Sequence, residues 1–287
     1  MGSKIKHDDS EKARIILESL DLLEWPTVCR HLSTFAITLQ GRKKCESFEL
    51  PLDISESQEL LCQTLEIGSL DDSLDEGISF EGVHDLTNIL LKCSKGGIAM
   101  GDDLLKVANT LRAGRKIRKL IFDQLIRPRL SELLKDIATL PDLQKLLEFG
   151  LDDGGRIADR ASPRLSELRR HRNAVRLQRK NILQDTIRKY SGLLQDNIIS
   201  ERYGRPVLAL KAGTSDQIKG IVHDSSASGN TIYVEPQAVI SIGNRLAKID
   251  SEISDEERRL LANWSKEVGI NANVISRLGE ILLQIEF

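Results

Sequence analysis

RYGRPVLALKAGTSDQIKGIVHDSSASGNTIYVEP, residues 202–236, is the one stretch of this chain that reads as β-structure. Gly220–His223 and Thr231–Glu235 are strand-like and are separated by Ser-Ala-Ser-Gly-Asn, a turn-forming composition. Long amphipathic segments lead into this stretch and away from it, so the expected arrangement is a small β tip on two helical stalks. Upstream, Ser162-Pro163 pairs an N-cap residue with proline at the first helical position, where its missing N–H costs nothing. Leu165, Leu168, Val175, Ile182, Leu183, Ile187, Tyr190, Leu194 and Ile198 then form an apolar stripe. A helix continuous to Ile199 would be about 55 Å long. Just before it, LDDGGRIADRA (151–161) reads as a hinge with paired glycines. Downstream of Pro236, Ile242, Leu246, Ile249, Ile253, Leu260 and Trp264 have the spacing of a coiled-coil seam, with Glu257 filling the skipped step. Two such helices around a β insertion are expected to lie antiparallel.

The rest of the chain reads as a body of modest helices. Ile15, Ile16, Leu20 and Leu23 share one face of a helix ended by Trp25-Pro26. Thr27–Thr38 carries Val28, Leu32 and Phe35, with Leu39 one step on, and Ser55 is placed to cap a helix bearing Leu60, Leu61, Leu65 and Ile67. Gly68–Gly82 reads as a polar connection; Asp102 or Asp103 then caps a helix through Leu104, Val107, Leu111, Ile117 and Leu120. The expected class is mainly α: a helical core domain (1–150), a hinge and ascending helix (151–201), the β-rich tip (202–236) and a descending helix (237–287).

Charge is unevenly divided. The 287 residues have a formal net charge of -2, yet residues 151–211 hold 14 Lys and Arg against 7 Asp and Glu. Such a basic arm suits a phosphate backbone, with Arg172, Arg176, Arg179 and Lys180 on the helix and Arg202, Tyr203, Arg205, Lys211 and Lys219 on the tip. It equally suits a solvated helix face, neutralised in part by Asp250, Glu252, Asp255, Glu256 and Glu257 on the returning helix.

Other chemistry is excluded or weak. Cys29, Cys45, Cys62 and Cys93 form no CxxC pair and have no nearby His at ligand spacing, which argues against zinc and for buried, reduced thiols in a reducing compartment such as cytosol or an organelle stroma. No apolar run approaches the roughly 18 residues of a membrane span. Lys6 stands where an N-terminal Gly2 acylation signal needs Ser or Thr, so a trimmed targeting segment or a cloning remnant fits the start better. Gly96 and Gly101 have P-loop spacing, but Asp102 and Asp103 follow where Lys and Ser or Thr are required. His223, Asp224, Ser225, Ser226 and Ser228 invite a triad, yet neighbours on a strand point to opposite faces, which favours a hairpin framework and no catalytic or metal residue.

The tip wording carries more. Arg202–Lys211 followed by Gly220-Ile221-Val222-His223-Asp224-Ser225-Ser226-Ala227-Ser228-Gly229-Asn230-Thr231-Ile232-Tyr233-Val234-Glu235-Pro236 closely resembles the core and clamp region of the second MutS family, the recombination-suppressor branch of bacteria and plastids. Gly155, Ile157, Asp159, Ala161, Ser162 and Leu165 extend the match, as do Ile240 and Asn244–Leu246. The resemblance implies that the stalks are lever helices and the tip a clamp framed by Gly220, His223, Asp224, Ser228, Gly229, Glu235 and Pro236. It implies a homodimeric parent protein whose ATPase domain, with ATP and Mg²⁺, and whose endonuclease domain lie beyond this stretch. The implied partners are branched or duplex DNA, with stalled ribosomes and their rRNA, or dimerisation alone, as alternatives.

Overall fold

The computed structural model describes residues 14–51, 53–121, 125–135 and 137–287. The Lys6 acylation reading lies outside them. Among the described residues, eleven α-helices and one four-stranded sheet divide between two compact units, residues 1–156 with 261–287, and Ile157–Leu260.

The first unit holds α1 (residues 14–22), α2 (Trp25–Ser33), α3 (Leu39–Glu46), α4 (Ile54–Asp72), α5 (Thr87–Ser94), α6 (Gly101–Leu120), α7 (Pro128–Leu134), α8 (Pro141–Gly150) and α11 (Ala272–Glu286). Its core is α6, whose Leu104, Val107, Ala108 and Leu111 are fully buried with Leu147 of α8 and Ile275, Leu278 and Leu282 of α11. Contacts this close need small residues. A Cβ on Gly114 would fall 2.8 Å from Leu278, and one on Gly150 would fall 2.3 Å from Trp264.

Several boundaries differ from expectation. Pro26 opens α2 rather than ending α1, since proline is favoured in a first turn. The helix expected over Thr27–Thr38 stops at Ser33, and Thr38 instead caps α3 by accepting from the Gly41 N–H. The Glu286 carboxylate accepts from Ile37 N and Thr38 N at the same turn, which draws the chain out of helix there. The cap of α4 is Asp53, which accepts from Ser55 N at 3.1 Å, and α4 runs through Gly68 to Asp72. Asp102 and Asp103 occupy the first turn of α6 without capping it. Of the four thiols, all free, Cys62 is exposed and the others are buried.

The paired glycines of 151–161 form a tight turn closed by Gly155 N to Asp152 O and Asp152 N to Arg156 O. Gly155 holds φ +70°, and a Cβ there would lie 2.5 Å from Asp102 N. Gly155 is therefore required by close packing on the start of α6.

The second unit contains α9 (Pro163–Tyr190), β1 (Leu194–Arg202), β2 (Arg205–Lys211), β3 (Gly220–Ser225), β4 (Thr231–Pro236) and residues 237–260 of α10 (Gln237–Ile270). The strand order is β1-β2-β4-β3, antiparallel throughout, with register shifts between Leu194 and Ile199 and between Val222 and Asp224. β2, buried from Pro206 to Leu210, is central. Leu183, Leu194, Leu208, Leu210, Ile218, Val234 and Val239 make the core beneath the sheet. The ascending helix thus stops at Tyr190, about 42 Å long, and the segment expected to continue it to Ile199 is strand. Gly192 breaks the helix, and Leu194 pairs with Leu210.

Along residues 237–260 of α10 the buried positions are Val239, Gly243, Leu246, Ile249, Ile253, Glu256 and Leu260. Glu256, not Glu257, fills the skipped step. Its carboxylate accepts from Arg259 (2.7 and 2.9 Å) and from the Ser162 hydroxyl (2.7 Å), which also caps α9 by accepting from Leu165 N. Arg259 foremost, then Ser162 and Arg164, hold the Glu256 carboxyl down at about 2 against the opposing push of burial. From here Arg169 bridges Asp159 and Glu257, Arg172 faces Asp250 at 3.6 Å and Arg245 meets His171 at 2.6 Å. Ser162 and Arg169 meet Glu256 and Glu257, whereas His171 and Arg172, further up α9, meet Arg245 and Asp250, further back on α10, so these stretches run antiparallel.

Two outcomes are expected. Gly155→Ala lowers stability by about 2 kcal/mol or more in urea denaturation, and an unchanged midpoint would contradict so close an approach to α6. Glu256 is depressed in the fold, so its contribution is complete above the ordinary carboxylate range and is lost as pH falls through about 2. Glu256→Ala should cost about 3 kcal/mol at neutral pH and flatten the acid limb of a stability–pH curve between about pH 5 and 2.

Candidate nucleic-acid interface

The nine residues that suit nucleic-acid binding separate into two groups. Arg202 lies over the Tyr233 ring, 4.0 Å from its centroid, and pairs with Asp224 at 3.2 Å. Arg205 donates to Asn244 at 3.0 Å and sits 3.5 Å from Glu235. Lys211 donates to the Gly192 carbonyl, and Arg172 faces Asp250. These four cations are engaged within the unit. Lys219 is exposed and makes no side-chain hydrogen bond or ion pair among the described residues.

The side chains of Arg176, Arg179 and Lys180 also form no hydrogen bond or ion pair among the described residues. The reason is legible on the facing helix: residues 237–249 of α10 contain no Asp or Glu, and the acidic run begins only at Asp250. Arg164, Arg169 and Arg172 of α9 therefore lie against acids of α10, and Arg176, Arg179 and Lys180 do not. These three line a pocket of about 300 Å³ with Leu183, Ile199, Ser200, Glu201, Gly204 and Pro206. Three cations face one carboxylate, that of Glu201. Ser200, Glu201 and Pro206 escape sequence reading because the apolar stripe of α9 runs on into β1; the contrary signal is Gly192 ahead of the β-branched pair Ile198-Ile199.

The β1–β2 turn beside the pocket has two central residues, Tyr203 (φ 51°) and Gly204 (φ 74°), between the paired Arg202 and Arg205. Two successive positive φ values mark the tight hairpin turn whose twist matches the strands. Tyr203 is 83% exposed.

The His-Asp-Ser constellation does not converge. A register shift falls at His223, whose Nε2 lies 2.8 Å from Glu235, whereas Asp224 pairs with Arg202 and accepts from the Ser225 N–H. Ser226 joins Ser228 at 3.4 Å and accepts from Thr231 N, with Gly229 at φ +71° completing the turn. Glu235 is buried, and its Oε1 has no hydrogen bond, only the Arg205 charge. Glycines make this framework possible. A Cβ on Gly220 would fall 2.2 Å from the Glu235 carbonyl, and one on Gly243 would crowd Arg205 at 2.9 Å. Pro236, opposite Gly220, closes β4 directly before α10.

Among the described residues no group of three or more His, Cys, Asp and Glu is arranged to hold a metal, and no helix is long and apolar enough to cross a membrane. The residues at 96–103 do not fit ATP phosphates, because Asp102 and Asp103 bring negative charge into the first turn of α6.

No family model matches the chain. It is 41% identical over 260 residues to a protein named Endonuclease MutS2 from Synechocystis sp., covering 91% of this chain and 32% of that protein. Proteins of the same name from Pelotomaculum thermopropionicum and Symbiobacterium thermophilum are 34% and 31% identical, each over 94% of this chain and over 35% and 34% of their own lengths. The chain belongs to the MutS2 family. It spans about a third of the length of these MutS2 relatives. The alignments take in both units, so the tip and the helices that carry it fall inside the MutS2 match.

Arg205→Ala should lower the thermal stability of the chain by about 1–3 kcal/mol, because Glu235 would be left buried with His223 alone. Weakened ligand binding with the melting temperature unmoved would refute a framework role for Arg205.

Proposed function

We propose that residues 157–260 grip the sugar-phosphate backbone of DNA, and that this stretch is a non-catalytic clamp. The observation behind this reading is the set of three unengaged cations, Arg176, Arg179 and Lys180, lining one pocket beside a glycine-containing turn. Cations with no internal partner release counterions when they meet phosphate, the main source of sequence-independent affinity. The Gly204 backbone, with nothing within 4 Å of where its Cβ would be, permits close approach. The name carried by the relatives, an endonuclease, supports a nucleic-acid partner.

In this reading α9 and α10 serve as a coiled-coil lever, which their antiparallel ion pairs support. ATP, Mg²⁺ and any nuclease chemistry belong to segments outside these 287 residues, in a homodimeric parent that suppresses recombination by holding branched or duplex DNA. The four free thiols suit a reducing compartment, cytoplasm or plastid stroma.

Fluorescence anisotropy of the full chain on duplex and four-way-junction DNA, from about 50 to 200 mM salt, tests the reading. The triple change Arg176→Glu, Arg179→Glu, Lys180→Glu should weaken binding and make the log–log salt dependence shallower by about 2–3. Affinity indifferent to salt and to the triple change would overturn it. Binding to ribosomes without binding to either DNA would move the partner to rRNA.

A further inference from the structure

Tyr203 is an expensive residue for its position. A two-residue hairpin turn with positive φ at both centres favours Asn, Asp or Gly at the first of them, because a side chain there crowds the backbone. Tyr203 nonetheless holds φ 51°. Nothing in the fold compensates: the side chain is 83% exposed, the most exposed aromatic among the described residues, and no hydrogen bond or ring contact engages it. Its foundation is firm by contrast, since Arg202 is held by Tyr233 and Asp224 and Arg205 by Asn244 and Glu235. The ring therefore stands on a rigid two-strand base, and the next residue, Gly204, lines the pocket of Arg176, Arg179 and Lys180.

An aromatic face one residue from a phosphate-binding wall is within one nucleotide's reach of it. We propose that Tyr203 is a base-stacking residue, which receives an unpaired base while the adjoining phosphate sits in the pocket. The bases of continuous duplex are already stacked on both faces, so the ring discriminates in favour of nucleic acid with an unpaired nucleotide, such as a flap or a branch point. This inference rests on the proposed backbone binding and adds the substrate feature that the backbone cannot supply.

The test uses the full chain with three variants, Tyr203→Asn, Tyr203→Phe and the triple charge reversal, on blunt duplex and on a duplex bearing a single-stranded flap with 2-aminopurine at its first unpaired position. Tyr203→Asn suits the turn, so its melting temperature should match or exceed the parent's, which removes misfolding as an explanation. It should leave blunt-duplex affinity within about twofold, weaken flap binding roughly 5- to 100-fold and abolish the 2-aminopurine quench, as expected for loss of one stacked base. Tyr203→Phe should preserve all three. Flap affinity and quench unchanged in Tyr203→Asn, with binding still lost on charge reversal, would overturn the stacking role and leave the backbone reading intact. Failure of the unaltered chain to bind either DNA would overturn both.

Discussion

Within the second unit, a carboxylate buried at Glu256 ties the first turn of α9 to the middle of α10. Such a group is tolerable inside a helix pair only if its charge is met at short range, and Ser162 and Arg259 meet it. Because the same serine caps α9, one cluster of atoms sets both where that helix begins and which turn of α10 it starts against. Arg169, His171 and Arg172 then add contacts to Glu257, Arg245 and Asp250. These contacts reach no acid beyond Asp250, so the three-cation wall nearer the sheet is a consequence of register as much as of composition.

Much of this is legible in the residues. The β island, the 220–236 hairpin, the Ser162-Pro163 helix start and the long α6 each depend on local chemistry: turn composition, capping, and apolar spacing that persists over several turns. What sequence misses depends on the partner. Leu194 and Ile198 fit a four-residue helical step, but two apolar residues fit several periods, and pairing of Leu194 with Leu210 decides for strand. Glu256 and Glu257 are indistinguishable in one dimension, and the rotation of the helix about its own axis selects which is buried. The basic arm is equally ambiguous, because neutralisation is a property of the facing helix.

The first unit shows the same limit from another side. Periodicity groups residues on the faces of its N-terminal helices, yet Phe35 and Leu39 are 71% and 67% exposed while Leu104 and Leu111 are fully buried. Spacing tells which side chains share a face. Whether a second surface lies against that face is a tertiary fact.

The two register shifts of the sheet have a consequence for assembly. They fall on β1 and β3, the two outer strands, and leave the central β2 and β4 regular. An outer strand with an interrupted row of backbone donors and acceptors is a poor template for a further strand. Both open borders of the sheet are thus irregular. The sheet ends itself at four strands, and copies of this molecule can crowd together without zipping edge to edge.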